Sequence, residues 1–201
     1  MPRLILASAS PRRRELLSRL DVPFDVVPSR ADEALPEDLS LRPALETVAL
    51  RKAAEVGARA PEGCSILAAD TAVVLGDRVF GKPRDRREAR TMLASLSGRT
   101  HQVITAVAFL GPDLRRTLSV ATDVTFRALS PAQIDWYTGL EEPYDKAGAY
   151  AVQGRGAFLV ASLSGSYTNV VGLPMAETVR LLEEAGLTPW SARIRREAAH
   201  G

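Results

Sequence analysis

The stretch that most constrains the fold is Leu4-Ile5-Leu6-Ala7-Ser8-Ala9-Ser10-Pro11-Arg12-Arg13-Arg14-Glu15-Leu16-Leu17. Four apolar residues before Ser8 suffice for a buried strand. Ser10-Pro11 is a helix start, with serine as N-cap and proline at the first helical position. The small side chains of Ser8, Ala9 and Ser10 let a ligand approach the backbone amides, and the helix dipole with Arg12 and Arg13 favours an anion there. Cations in the first turn oppose the macrodipole, so they cost stability unless something negative sits between them. The segment reads either as a phosphate cradle or as an ordinary capped helix with solvated arginines.

A chain of 201 residues suits one domain, with room for two lobes, and buries a core without metals or disulfides. The net charge of +2 is too small for a protein whose main partner is a nucleic-acid backbone, and the basic residues at element junctions read as local anion sites. Cys64 is the single cysteine, which excludes an internal disulfide and fits a reducing cytoplasm. With only His101 and His200 as imidazoles, most zinc sites and a Ser-His triad are also disfavoured. The N-terminal apolar run ends at Ala7 before three arginines, too short for a secretory signal, and no run reaches membrane-spanning length.

Along the chain, a helix is expected over residues 11–20, a short strand over Phe24-Asp25-Val26-Val27, and a polar, acidic loop over residues 28–43 that carries Asp32, Glu33, Glu37 and Asp38. A helix from Pro43 to about Ala60 places Leu45, Val48, Ala49 and Val56 on one stripe with Lys52 in its middle. An ammonium there either snorkels out of the stripe or faces an anion. Ser65-Ile66-Leu67-Ala68-Ala69 reads as a central strand ending in Asp70-Thr71, ahead of a second apolar run, residues 72–75. An unpaired carboxylate at Asp70 is expensive, so a cation, a metal or a set of hydrogen bonds must hold it, and in open α/β sheets ligands sit at such strand ends.

Gly76-Asp77 reads as a tight turn and Gly81-Lys82-Pro83 as a stiff exposed bend. Asp85 caps a helix to about Leu96 whose inner face is Ala89, Met92, Leu93 and Leu96, leaving Arg86, Arg87 and Arg90 solvated. Strands over residues 102–110 and 117–127 form a hairpin around Gly111-Pro112-Asp113, with His101 as a packing or edge residue. Ser130-Pro131 starts a short helix to Gly139. Residues 141–172 set polar side chains between small ones, which suits a site wall better than a core, and include a strand over residues 158–163. Pro174 opens a last helix ending near Ala185-Gly186, and the arginine-rich tail after Trp190 is expected to fray.

Six ordered motifs resemble the Maf family of cytoplasmic nucleoside triphosphate pyrophosphatases. They are Ser8-Ala-Ser-Pro-Arg-Arg, Ala69-Asp70-Thr71, Gly81-Lys82-Pro83, Ser97-Gly-Arg-Thr-His, Asp145-Lys-Ala-Gly-Ala-Tyr and Gly165-Ser-Tyr-Thr-Asn-Val-Val-Gly-Leu-Pro. The resemblance implies one α/β domain over residues 1–187 with a tail over 188–201. Its fold would be an elongated mixed β-sheet flanked by helices, two lobes with a central cleft, similar to the inosine triphosphate pyrophosphatases. It also implies a homodimer. It assigns Ser8, Arg12, Arg13, Lys52 and Lys82 to the triphosphate and Glu33 and Asp70 to a divalent metal, with Asp70 as proton acceptor. Arg12, Thr71 and Gln153 match the branch that hydrolyses dTTP and UTP, with modified pyrimidine nucleotides as further candidates.

The chemistry agrees with those assignments. Four basic side chains and a metal neutralise a triphosphate of about four negative charges and hold it for in-line attack. Mg²⁺ is the expected ion, with Mn²⁺ as the alternative, because few protein carboxylates are offered beside phosphate oxygens and water. Water attack on the α-phosphorus, assisted by Asp70, would release pyrophosphate and a monophosphate. The alternative function is a non-catalytic nucleotide-binding regulator of division; the presence of both Asp70 and Glu33 argues against it. A nucleic-acid module built on Arg12–Arg14 lacks both net charge and an aromatic platform, and no membrane association is expected.

Overall fold

The computed structural model describes residues 3–191, so His200 and most of the arginine-rich tail lie outside the described residues. In chain order the elements are β1 (Leu4–Leu6), α1 (Pro11–Ser18), β2 (Phe24–Val26), α2 (Leu41–Gly57), β3 (Ser65–Leu75), β4 (Arg78–Phe80) and α3 (Arg86–Leu96). There follow β5 (Thr100–Leu110), β6 (Arg115–Phe126), α4 (Pro131–Tyr137), β7 (Val160–Ser164), α5 (Tyr167–Val171) and α6 (Met175–Glu184). Short 3₁₀ turns fill Glu142–Asp145, Ala147–Ala149 and Gly154–Leu159. The fold is a mixed α/β one: a seven-stranded sheet runs β2-β1-β3-β5-β6-β7, with β4 paired to β3. β1 is parallel to both β2 and β3, whereas the β3–β4 and β6–β7 pairs are antiparallel.

The chain divides into two compact units. The first comprises residues 3–70, 106–119 and the described part of 172–201. Its β1 is buried throughout, as four consecutive apolar residues require of a strand covered on both faces. α2 buries Ala44, Leu45, Val48, Ala49, Ala53 and Val56 at helical spacing, and the ammonium-bearing Lys52 sits among them. This helix begins at Leu41, before Pro43. Proline is tolerated in a first turn, where its missing N–H has no intrahelical acceptor in any case.

The second unit comprises residues 71–105 and 120–171. Its core joins Val73, Phe80, Met92, Leu93, Phe126 and Tyr137, among others. Each fully buried side chain of this size contributes about 1.5–3 kcal/mol. The inner face of α3 is the expected one, and Asp85 Oδ1 caps it by accepting from Glu88 N at 2.8 Å. Ser130 and Gln133 form a reciprocal capping box on α4. His101 is 2% exposed, donates or accepts at 2.8 Å with Tyr150 Oη, and packs edge-on against Phe126.

Three expectations need correction. β3 does not stop at Asp70-Thr71 but runs unbroken for 11 residues, because Asp70 finds a cation and Thr71 a hydroxyl partner there. Arg86 and Arg90 are not merely solvated: Arg86 Nη2 donates to the Asp135 carbonyl at 3.0 Å and Arg90 pairs with the Asp135 carboxylate, tying α3 to α4. Finally, the small-residue stretch 148–151 is core, with Ala149 and Tyr150 inside the second unit's cluster. Small residues there allow close packing: a Cβ on Gly148, whose φ is +72°, would lie 3.0 Å from Val73.

Candidate active site

The first unit carries Ser8, Arg12, Arg13, Glu33, Lys52 and Asp70 of the candidate residues. Ser10 is the N-cap of α1 as expected, with Oγ accepting from Arg13 N, while Ser8 Oγ accepts from Ser10 N at 3.2 Å. Those two amides are therefore satisfied by hydroxyls, and the cradle is built from side chains more than from bare backbone. Arg13 completes it: Nη1 donates to Ser8 Oγ at 3.3 Å and Nε donates to the Gly172 carbonyl at 2.7 Å, fixing the guanidinium plane. Burial pulls the Arg13 guanidinium below its ordinary value; Asp70 and Glu33 oppose this, and the neighbouring charge of Arg12 adds to it. A cation held in this way gains from an anionic ligand.

Lys52 supplies the second half. Its side chain is 8% exposed, and Nζ donates to Asp70 Oδ1 at 2.6 Å and pairs with Glu33 Oε1 at 2.8 Å. The helix stripe and the interrupted strand, which the sequence offers as two separate oddities, are one ion-paired cluster. Asp70 is largely buried in β3, whereas Glu33, on the polar loop, is 60% exposed. Among the described residues no group of three His, Cys, Asp or Glu side chains gathers. Two carboxylates converging on one cation nevertheless match the donor set that Mg²⁺ uses, which is one or two carboxylates completed by waters and substrate phosphates.

The remaining candidate residues, Thr71, Lys82 and Gln153, belong to the second unit. Thr71 Oγ1 lies 2.9 Å from Thr105 Oγ1, and Thr105 donates its hydroxyl proton to the Asn169 carbonyl at 2.9 Å. A hydroxyl has one proton, so Thr71 is the donor in its contact with Thr105. Asn169, fully buried, is in turn held by Nδ2 bonds to Val103 O and Thr122 Oγ1, both 2.9 Å. Lys82 is exposed in its bend, which Gly148 N anchors by donating to Gly81 O at 3.0 Å. Gln153 is half-buried and precedes the 3₁₀ turn Gly154–Leu159.

Residues 3–185 match the family model described as Maf-like protein. The chain belongs to the Maf family. Among similar curated proteins, a dTTP/UTP pyrophosphatase of Myxococcus xanthus is 54% identical over 190 residues, covering 94% of this chain and 96% of its own. A dTTP/UTP pyrophosphatase of Bacillus velezensis is 47% identical over 182 residues, covering 90% and 96%. Among solved structures, a nucleoside-triphosphatase/dITP/XTP pyrophosphatase from Mycobacterium abscessus aligns over 93% of this chain and 99% of its own at 18% identity, with a TM-score of 0.43. In this Maf chain, sequence reasoning missed Thr105, Tyr137 and Glu142, which hold the neighbourhoods of Thr71 and Gln153. No local pattern marks them, since, apart from the Tyr137–Glu142 bond itself, the groups they hold lie 13 to 64 residues away.

Proposed function

We propose that this protein hydrolyses dTTP and UTP to the monophosphate and pyrophosphate. The observation that carries the reading is the Lys52 ammonium held between Asp70 and Glu33 in a chain of the Maf family, whose similar curated members are dTTP/UTP pyrophosphatases. Ser8, Arg12, Arg13, Lys52 and Lys82 bind and orient the triphosphate, their four cations matching about four negative charges. Asp70 accepts from Lys52 through Oδ1, leaving Oδ2 to take a proton from water. The water oxygen bonds to the α-phosphorus, the bond from that phosphorus to the bridging oxygen breaks, and pyrophosphate leaves. Glu33 and Asp70 would hold a divalent cation, Mg²⁺ by their chemistry, which when bound supplies charge neutralisation and Lewis acidity at the phosphate. Arg12, Thr71 and Gln153 read the pyrimidine, where a wrong base leaves buried polar groups unpaired.

The proposal extends to a cytoplasmic homodimer acting in nucleotide house-cleaning. Among the described residues no helix is long and apolar enough to cross a membrane. Light scattering on the purified chain tests the dimer. The central experiment is pyrophosphate release from dTTP, UTP, CTP, GTP and ATP with Mg²⁺: the two named pyrimidines should show the highest kcat/KM, and a purine preference or no release would overturn the reading. Asp70→Asn should lower kcat by about 10²–10⁴-fold; retention of more than about a tenth of wild-type kcat would remove Asp70 from the proton-accepting role.

A further inference from the structure

The second unit contains a half-buried carboxylate, Glu142, that the mechanism above does not use. Glu142 Oε1 accepts from Tyr137 Oη at 2.8 Å and from Gly156 N at 2.8 Å, and Oε2 accepts from Arg155 N at 3.1 Å. Tyr137 Oη in turn accepts from Ala151 N at 3.2 Å. The phenol and the carboxylate therefore grip the backbone two residues before Gln153 and two and three residues after it. Burial alone would push the Glu142 carboxyl up, but the Tyr137 hydroxyl, the two amides and Lys146 outweigh it and hold it below the ordinary carboxylate range, so the acceptor stays ionised.

The glycines of Gln153-Gly154-Arg155-Gly156 fit this grip. A Cβ on Gly154, whose φ is +67°, would lie 2.5 Å from Glu142 Oε2, and one on Gly156 would lie 2.5 Å from both Tyr137 Oη and the Ala151 carbonyl. Neither position has room for a side chain, because the loop is closed tightly around the carboxylate. Between the grips the loop carries the half-buried Val152 and Gln153, and of these Gln153 has the polar side chain.

We infer that Glu142, with Tyr137, is a positioning residue for base selection: it fixes the loop 151–156 so that Gln153 is presented to the pyrimidine in one geometry. This rests on the assignment of Gln153 to the base. The clamp lies in the second unit, while Asp70, Lys52 and Glu33 lie in the first, so loosening it should misplace Gln153 without disarming the attack on phosphorus.

The test is a double-mutant cycle on purified full chain with Mg²⁺, using dTTP and GTP. Glu142→Gln sets an amide N–H against the backbone N–H groups. KM for dTTP should rise about three- to tenfold, the worth of one neutral hydrogen bond, with kcat within about twofold and GTP kinetics little changed. Gln153→Ala should do the same, and the pair Glu142→Gln/Gln153→Ala should be no worse than Gln153→Ala alone, because one residue acts through the other. Tyr137→Phe is the second variant, needed if Glu142→Gln does not fold, and it should behave likewise. Multiplied losses in the double variant, or equal losses on both nucleotides with kcat falling, would overturn the clamp while leaving the role of Gln153 standing. An unchanged dTTP-to-GTP ratio in Gln153→Ala would remove both.

Discussion

Lys52→Met tests the physics of the cluster most directly. Methionine keeps the apolar stem that packs in the α2 stripe and removes the charge that holds two carboxylates. Removing one partner of a buried ion pair costs about 3–5 kcal/mol, because the other charge is left unpaired in a poor solvent. Here the two anions differ. Glu33 is 60% exposed and can hydrate, so its loss is small, whereas Asp70, 17% exposed, hydrates only in part. The expected cost is therefore about 2–3 kcal/mol, below the buried-pair range. For a chain of this length that lowers Tm by roughly 4–12 °C.

Asp70→Asn leaves Lys52 with Glu33 and should cost less, about 1–2 kcal/mol. The decisive variant is Lys52→Met/Asp70→Asn. It buries neither charge and should be more stable than Lys52→Met alone, an interaction of the sign opposite to additive damage. Urea unfolding followed by circular dichroism on the four proteins measures the cycle. If Lys52→Met is as stable as wild type, or if the double variant loses the sum of both single losses, the cluster is not a desolvated ion pair. In parallel, Lys52→Met should lower kcat/KM for dTTP by roughly 10–150-fold, the range of a hydrogen bond to a charged group.

Further consequences follow from the second unit. Burial holds the His101 imidazole at about 4, well below its ordinary 6.5, so the unfolded chain binds the extra proton between those values. The stability this brings is complete above pH 6.5 and disappears as pH falls toward 4, about 3 kcal/mol in all. His101→Gln should flatten the pH dependence of the urea midpoint in that window, and an unchanged slope would contradict the assignment. Gly156→Ala must displace Tyr137 or the Ala151 carbonyl and should lose at least about 1–3 kcal/mol, read as a lower Tm. Gly63→Ala carries only the backbone cost of its φ of +77°, since nothing lies within 4 Å of its Cβ, and should lose less than Gly156→Ala, whose cost is the clash.

What the sequence determined by itself is what acts within a turn or two of chain. Ser10-Pro11, Asp85 and Ser130-Pro131 begin their helices as written, because a cap needs only the residues at N1 to N3. Helical spacing placed Lys52 in a buried stripe, a continuous apolar run placed Asp70 at the end of a buried strand, and the cost of an unpaired charge required each to have a partner. That the partners are each other, 18 residues apart, was decided by tertiary structure. So was the continuity of β3, which local composition alone would end at Asp70. The glycine-rich segment shows the limit most plainly. Its small residues signal close approach without saying to what, and only the packing of Tyr137 and Glu142 against residues 151–156 turns part of it into core and part into a clamped loop around Gln153. Periodicity and capping are properties of neighbours in sequence, whereas hydrogen-bond satisfaction of a buried group is a property of neighbours in space.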